Sequence, residues 1–358
     1  MIFRRLHFNP IWKRSIARLL ADRVVKSTLI ILGIILIIWG VTLSIPKPSS
    51  NRLLPATPLA TISSQPTIST PAKSTPLLAY YYIWFDTQSW GRAKKDYPLL
   101  GRYSSDNADV MRQHIRWAKQ AGIDGFIVSW KSTDKLNRRL DQLVKIAAQE
   151  NFKLAIIYEG LDFQRDPIPV QQVGADLSYF IDHYADQKVF DIFEKPMVIW
   201  SGTWQYSPEE IQGVVQDKRG QLLILASEKN VQGYQRLAKL VDGDAYYWSS
   251  VNPDTNSGHV EKLKSMAEAI HQNNGIWIAP AAPGFDSRLL GGTTVVDRKN
   301  GATLRTELQA ALQSTPDAIG LISWNEFSEN SHVEPSQNYG DQSLKVLAEA
   351  RSAASEQK

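Results

Sequence analysis

The sequence predicts a (β/α)8 barrel preceded by a single transmembrane helix. Three observations predict this: an uncharged apolar run near the amino terminus, a stretch rich in Pro, Ser and Thr after it, and eight short apolar runs that alternate with amphipathic segments from Leu77 onward. Parallel strands covered on both faces read as near-continuous apolar runs, and eight strand–helix units form such a barrel. A doubly wound open sheet is the alternative, but no G-x-G-x-x-G follows the first strand.

The first element is the apolar run STLIILGIILIIWGVTLSI at residues 27–45, a predicted signal-anchor helix. As a helix its 19 residues would span roughly 30 Å, one hydrocarbon core. Residues 1–26 form a basic arm of net charge +6, which predicts a cytoplasmic amino terminus and an extracytoplasmic remainder. A cleaved signal peptide is the rival, but such apolar cores run to roughly 15 residues. We favour a bacterial cell membrane over a Golgi-type lumen.

The next element, residues 46–76, has no apolar period and predicts a semi-extended tether. It carries a net charge of +3, and since the whole chain is +4, the remaining residues carry −5. The predicted catalytic barrel, residues 77–353, is therefore mildly acidic and is followed by a short tail, 354–358. A nucleic-acid footprint requires a basic patch on the domain itself, so no nucleic-acid partner is predicted.

The eight predicted strands are residues 77–84, 125–130, 154–159, 196–202, 221–228, 244–250, 276–281 and 318–326. Predicted helices between them include 107–121, 135–151, 259–273 and 303–313. In such barrels the carboxyl ends of the strands form the active-site face. We therefore expect the residues at these ends to line the mouth of the barrel.

The predicted strand ends carry aromatic rings and carboxylates with few cations. Candidates for substrate binding at these ends are Tyr81, Trp84, Trp130, Glu159, Tyr247, Asp286, Trp324 and Asn325. Rings can stack on the apolar faces of sugars and carboxylates can bind hydroxyl groups, whereas a phosphate substrate would favour more Arg and Lys. The predicted ligand is a carbohydrate.

The eighth strand ends in SWNEFSENSHVE, which brings three carboxylates close together. Glycoside cleavage needs one group to protonate the leaving oxygen and another to supply or activate the attacking one. Glu326 and Glu329 are the predicted catalytic pair, and Glu334 is predicted to orient or bind substrate. The chain has no Cys, and its six His lack metal-ligand spacing, so neither a metal nor another cofactor is predicted.

The segment WNEFSENSHVEPS resembles the eighth-strand motif of glycoside hydrolase family 99, the endo-α-mannosidases. Earlier segments, AYYYIWF, DGFIVSW, LAIIYE, KPMVIW and DAYYW, resemble its first, second, third, fourth and sixth strands. APGFD, followed by Asp297-Arg298 and Gly301, resembles a further element, and the likeness spans about residues 77–340. Related bacterial glycan-biosynthesis proteins share these signatures.

The resemblance implies retaining hydrolysis of an internal α-mannosidic bond. It assigns to Glu326 the removal of a proton from the substrate 2-hydroxyl, and to Glu329 the role of general acid and then base. It further implies that Glu159 binds substrate hydroxyls, that Tyr81 and Tyr247 line the reactive subsite, and that Arg298 belongs to the site.

This sequence departs from the family pattern at several positions. Phe327 replaces a Trp, Asn330 replaces a Gly, and Lys131 follows the second strand. Lys131 could bind an acidic sugar or pair with Asp86 or Glu159. The alternative functions are a glycan-biosynthesis enzyme, a non-hydrolytic glycan-binding barrel, or a membrane-tethered structural module. The predicted partners are a carbohydrate and the membrane, and the sequence carries no signal for an oligomeric state.

Overall fold

The structure, a computed structural model, describes residues 75–92 and 94–356. The predicted basic arm, the anchor helix and nearly all of the tether lie outside these residues. Within residues 75–92 and 94–356, no helix is long and apolar enough to cross a bilayer.

Eight parallel strands close into a barrel, as the sequence predicts. The barrel strands are β1 (Leu77–Tyr82), β2 (Gly125–Trp130), β3 (Lys153–Tyr158), β4 (Met197–Trp200), β5 (Leu223–Ala226), β6 (Gly243–Ala245), β7 (Ile276–Ala281) and β10 (Ala318–Leu321). The barrel closes because β1 pairs with β2 on one side and with β10 on the other. In the β1–β10 pairing, Leu77 lies opposite Ile319. Since the sheet closes, the open doubly wound alternative is excluded.

The helices cover the outside of the strands. They are α1 (Ala108–Gln120), α2 (Asp134–Gln149), α3 (Val170–Tyr184), α4 (Pro208–Val215), α5 (Val231–Gln235), α6 (His259–His271), α7 (Ala302–Gln313) and α8 (Gln342–Glu356). Local chemistry fixes their starts: the Asn107 side chain accepts hydrogen bonds from the first turn of α1, and Ser207 forms a capping box with Glu210 at α4. A short antiparallel hairpin, β8 (Phe285–Asp286) and β9 (Val295–Val296), follows β7.

Alternation along each strand divides the buried side chains into two layers. Inward residues such as Tyr80, Ile127 and Ile199 fill the barrel. Outward residues such as Phe126 and Val198 pack in a larger layer that includes the helices. Which layer a residue enters depends only on its phase in the strand, and this determines which side chains reach the mouth.

Candidate active site

A cleft of about 320 Å³ opens at the carboxyl ends of the strands. It is lined by Tyr82, Trp84, Ile157, Glu159, Arg165, Ser201, Trp204, Ser227, Lys229, Tyr247, Trp248, Ser249, Ser250, Phe285, Glu326 and Glu329. Three carboxylates, several aromatic rings and several hydroxyls therefore face one space. Among the residues described, no grouping of His, Asp and Glu side chains is suited to hold a metal ion.

Glu326 follows β10 and lies at the base of the cleft, where only 8% of its surface is exposed. Its backbone N–H donates to Ser323 Oγ at 2.7 Å, and its Oε1 accepts a hydrogen bond from the backbone N–H of Ser328 at 2.9 Å. Burial raises the pKa of Glu326, while the Ser328 hydrogen bonds and the charge of Lys94 favour its ionised form. These contacts fix the direction of one carboxylate oxygen of a side chain that lines the cleft.

Glu329 lies in the turn that follows Glu326. Its backbone carbonyl accepts a hydrogen bond of 2.7 Å from the Asp286 N–H, which ties this turn to the β8–β9 hairpin. Burial, followed by the negative charge of Glu326, raises the pKa of Glu329 to about 7. Because charge on one carboxylate favours a proton on the other, the pair can hold one acid and one base near neutral pH.

Glu159 enters the cleft from the end of β3. Its Oε1 accepts a hydrogen bond of 2.7 Å from Ser129 Oγ, which points inward from β2. Burial raises the pKa of Glu159, and the nearby charges of Lys131 and Arg165 oppose this effect. Lys131 thus acts on Glu159, whereas Asp86 pairs instead with Lys135 and Arg139.

Two tyrosine hydroxyls meet beside the catalytic candidates. The hydroxyls of Tyr82, from β1, and Tyr247, after β6, are in hydrogen-bond contact. Burial raises the pKa of both groups, and the charges of Glu326 and Glu329 add to the effect. Both hydroxyls therefore stay protonated. One O–H donates to the other hydroxyl, and the second O–H of the pair can donate to a substrate oxygen.

The rim of the cleft carries exposed aromatic rings. Trp84 is 41% exposed and stacks on Tyr82 with ring centroids 4.3 Å apart, and Trp248 is 40% exposed. Large exposed rings beside a polar cleft can stack against the apolar faces of sugar rings. Five residues expected at the mouth do line the cleft: Trp84, Glu159, Tyr247, Glu326 and Glu329.

Three other predicted contacts with substrate require correction, because their side chains face the helices. Tyr81, Trp130 and Trp324 are buried in the outer layer. The Tyr81 hydroxyl lies 3.0 Å from His114 Nδ1, and Trp130 Nε1 donates to Asn137 Oδ1 at 3.0 Å. Adjacent residues of a strand point to opposite faces, so Tyr82 occupies the position expected for Tyr81.

Asn325 and Glu334 are also displaced from their predicted roles, since both lie buried behind the cleft. Glu334 accepts a hydrogen bond from the Tyr103 hydroxyl at 2.8 Å, and its other oxygen lies 3.0 Å from His114 Nε2. Asn325 is hydrogen-bonded to the backbone of Tyr82. These residues hold the exit of β10 against β1 and α1, and neither of them lines the cleft.

Asp286 and Arg298 likewise support the turn that carries Glu329. The Asp286 carboxylate pairs with Lys95 and Arg288, each at 2.7 Å, and the Arg288 hydrogen bond lowers the pKa of Asp286. Arg298 is buried and donates to the backbone carbonyl of Asn330 at 2.9 Å. Neither side chain lines the cleft, which corrects the predicted contacts with substrate.

Several residues of the cleft wall are not among the predicted site residues. Tyr82, Arg165, Ser201, Ser227 and Lys229 line it without having been candidates. Knowledge of the strand phase would have identified Tyr82, but the uniformly apolar and aromatic residues of β1 do not show which alternating set faces inward. Arg165 and Lys229 lie in loops, where periodicity gives no signal.

The family model for glycosyl hydrolase family 99 matches residues 90–347. The chain belongs to this family. Among curated relatives, a mouse glycoprotein endo-alpha-1,2-mannosidase-like protein is 28% identical, with 66% of this chain and 57% of the relative covered. The rat glycoprotein endo-alpha-1,2-mannosidase is 27% identical, with 66% and 56% covered. The chain thus spans somewhat more than half the length of these relatives.

Solved structures share the fold of this family member. The family 99 endo-alpha-mannosidase of Bacteroides thetaiotaomicron superposes with a TM-score of 0.69 at 22% identity, over 79% of this chain and 98% of that one. A glycoside hydrolase-like protein superposes with a TM-score of 0.59 at 18% identity, over 80% and 97%. The resemblance seen in the sequence is therefore confirmed at the level of family and barrel fold.

Proposed function

We propose that this chain is a membrane-anchored retaining glycoside hydrolase that cleaves an internal α-linked, mannoside-like bond in an extracytoplasmic glycan. The observation that carries the proposal is the pair Glu326 and Glu329 in one cleft, with the pKa of Glu329 raised to about 7. A general acid works best when its pKa is near the working pH. Family membership and the endo-mannosidase names of the relatives support the same substrate class.

In the proposed first step, the ionised Glu326 accepts the proton of the substrate 2-hydroxyl. The 2-oxygen then attacks the anomeric carbon, and the bond to the leaving oxygen breaks as Glu329 donates its proton to that oxygen. The product of this step is a 1,2-anhydro sugar. Glu326 suits this role because the Ser328 N–H and the Lys94 ammonium stabilise its charge.

In the second step, the ionised Glu329 takes a proton from water, and the resulting oxygen attacks the anomeric carbon from the face that the leaving group occupied. The 2-oxygen departs and regains its proton from Glu326. Two inversions give overall retention. The free O–H of the Tyr82–Tyr247 pair can donate a hydrogen bond beside the reacting centre, and Glu159 can accept hydrogen bonds from sugar hydroxyls.

The membrane part of the proposal rests on the uncharged residues 27–45 and the basic arm before them. The anchor would hold the barrel outside the cytoplasmic compartment, where polysaccharides and surface glycans are found. Cell fractionation tests this part: the full chain should sediment with membranes, and deletion of residues 1–45 should release it.

Product analysis tests the reaction. The full chain in detergent should shorten α-mannan, and proton NMR of the first products should show the α-anomer before mutarotation. Glu326→Gln and Glu329→Gln should each abolish release. Sugar binding without release by the parent chain would favour the glycan-binding alternative, and transfer of sugar to an acceptor would favour the biosynthetic one.

A further inference from the structure

One wall of the cleft carries two cations around a tryptophan. Strands β3, β4 and β5 are neighbours in the barrel, and Arg165, Trp204 and Lys229 follow them in that order. The Lys229 Nζ lies 4.1 Å from the centroid of the Trp204 ring. The Arg165 carbonyl accepts a hydrogen bond of 3.4 Å from Gln205, the residue after Trp204. The three side chains therefore belong to one continuous surface.

The Lys229 ammonium packs on Trp204, and among the described residues neither it nor the Arg165 guanidinium is held in an ion pair. Within residues 75–92 and 94–356, neither side chain is within ion-pair distance of a carboxylate, and both residues are exposed. Elsewhere the protein uses its cations differently: Arg139 is buried between Asp86 and Asp106, and Arg236 pairs with Glu228. Stacking on Trp204 holds the Lys229 ammonium at the wall while leaving its N–H donors available.

Trp204, the centre of this wall, leaves the barrel opposite Glu326, while Arg165 is near enough to Glu159 and Glu329 for its charge to lower both pKa values. In the strand order, β4 is four strands from β10 in either direction, so Trp204 and Glu326 leave the barrel on opposite sides. An anionic group would be repelled by Glu326 and Glu329 at the end of β10. It would be attracted by Arg165 and Lys229, which outnumber the one cleft carboxylate on their side, Glu159. A guanidinium also matches the geometry of carboxylate and phosphate groups.

We infer that the Arg165–Trp204–Lys229 wall is a subsite for a sugar residue that carries an oxyanion, such as a carboxylate or a phosphate ester. The acidic residue occupies this subsite beside the bond that is cleaved, and a less charged residue lies against Glu326 and Glu329. The inference rests on the proposed function insofar as it takes the cleft to hold a glycan. It makes the natural substrate an acidic polysaccharide and the wall a determinant of specificity.

Three polymers from one batch of α-mannan test the inference: the neutral mannan, a portion partly oxidised at C6 to the carboxylate, and a portion partly phosphorylated at C6. Binding to each is measured by affinity electrophoresis with the full chain in detergent. Because a charge-assisted contact adds binding free energy, we expect a charged polymer to bind roughly fivefold to tenfold more tightly than the neutral one. Which charged polymer binds more tightly identifies the oxyanion.

The double variant Arg165→Gln/Lys229→Gln should lose this preference and still bind the neutral polymer. Lys145→Gln is the matched control, because Lys145 is exposed on α2 outside the cleft. Equal binding of all three polymers, binding of none of them, or a preference that survives in the double variant would overturn the inference. Release of neutral mannan without any charge preference would leave the hydrolase proposal standing while removing this one.

Discussion

The side chain of Asn325 makes two hydrogen bonds to the backbone of Tyr82. Its Oδ1 accepts from the Tyr82 N–H at 2.8 Å, and its Nδ2 donates to the Tyr82 carbonyl at 3.0 Å. The two residues are 243 positions apart in the chain. This pair joins the carboxyl ends of β10 and β1, and so fixes Glu326 relative to the Tyr82 hydroxyl.

Asn325→Ala should therefore destabilise the barrel and lower activity, although Asn325 does not line the cleft. The substitution leaves two buried backbone groups without partners, which costs roughly 2–4 kcal/mol. Thermal unfolding measures the stability, and kcat well below Tm measures the misplacement of Glu326. Asn273→Ala is the control, because the Asn273 side chain also makes two hydrogen bonds, donating to the Ala269 carbonyl and accepting from Lys239, both away from the cleft. Equal effects of both variants would contradict this role.

Glu329 should make the folded protein less stable as pH rises. Its carboxyl has an ordinary pKa of 4.5 and a folded-state pKa of about 7. Below pH 4.5 it is neutral in both states, and stability is lost as pH rises through about 7. The full loss is up to roughly 3 kcal/mol.

Glu329→Gln should consequently raise Tm at pH 8.5 and leave it nearly unchanged at pH 4. Glu268→Gln, at an exposed position on α6, should change neither value. A Tm of Glu329→Gln that follows the parent chain at every pH would show that the carboxyl has an ordinary pKa.

The strand phase of β1 gives a third prediction. Tyr82→Phe removes a hydroxyl from the cleft and should lower kcat/KM by about tenfold, the effect of one hydrogen bond at the reacting centre. Tyr81→Phe removes the contact with His114 in the outer layer, so it should cost about 1 kcal/mol of stability and leave kcat/KM nearly unchanged. Reversed effects would place Tyr81 at the substrate.

The sequence was least informative about strand phase, that is, about which alternating residues of a strand face the inside of the barrel. The predicted bounds of β2 and β7 agree with the structure, because their apolar residues end where the strands end. The predicted sixth strand, 244–250, is longer than the observed Gly243–Ala245, since Tyr247 and Trp248 lie beyond the sheet and line the cleft. A one-residue error of phase moves a side chain to the other face, as at Tyr81 and Tyr82.

The acid pair was predictable because both residues lie in one short segment at a strand end. The buried contacts that hold this segment in place were not predictable, because they join distant parts of the chain. His114 and Glu334 are 220 residues apart, and His332 and Asp96 are 236 apart. Contacts of this kind leave no period or spacing in a single sequence.

The pH dependence of kcat/KM on a glycan should report Glu329. Because the first step needs its proton, the rate should fall as pH rises above about 7. It should also fall on acidification through the raised pKa of Glu326, which must be ionised. Arg165 lowers the pKa of Glu329, so Arg165→Gln should move the alkaline fall to higher pH. If the alkaline fall occurs at the same pH in Arg165→Gln as in the parent chain, the titration of Glu329 does not cause it.

The most direct test of the account compares two leaving groups. Fluoride can leave without being protonated, whereas a leaving sugar oxygen needs a proton. The value of kcat/KM reports the steps up to the first irreversible one, which here is the departure of the leaving group. Glu329→Gln should lose at least about a hundredfold on α-mannan and far less on α-mannobiosyl fluoride, while Glu326→Gln should lose activity on both. Equal losses for Glu329→Gln on the two substrates would contradict the assignment of Glu329 as the general acid.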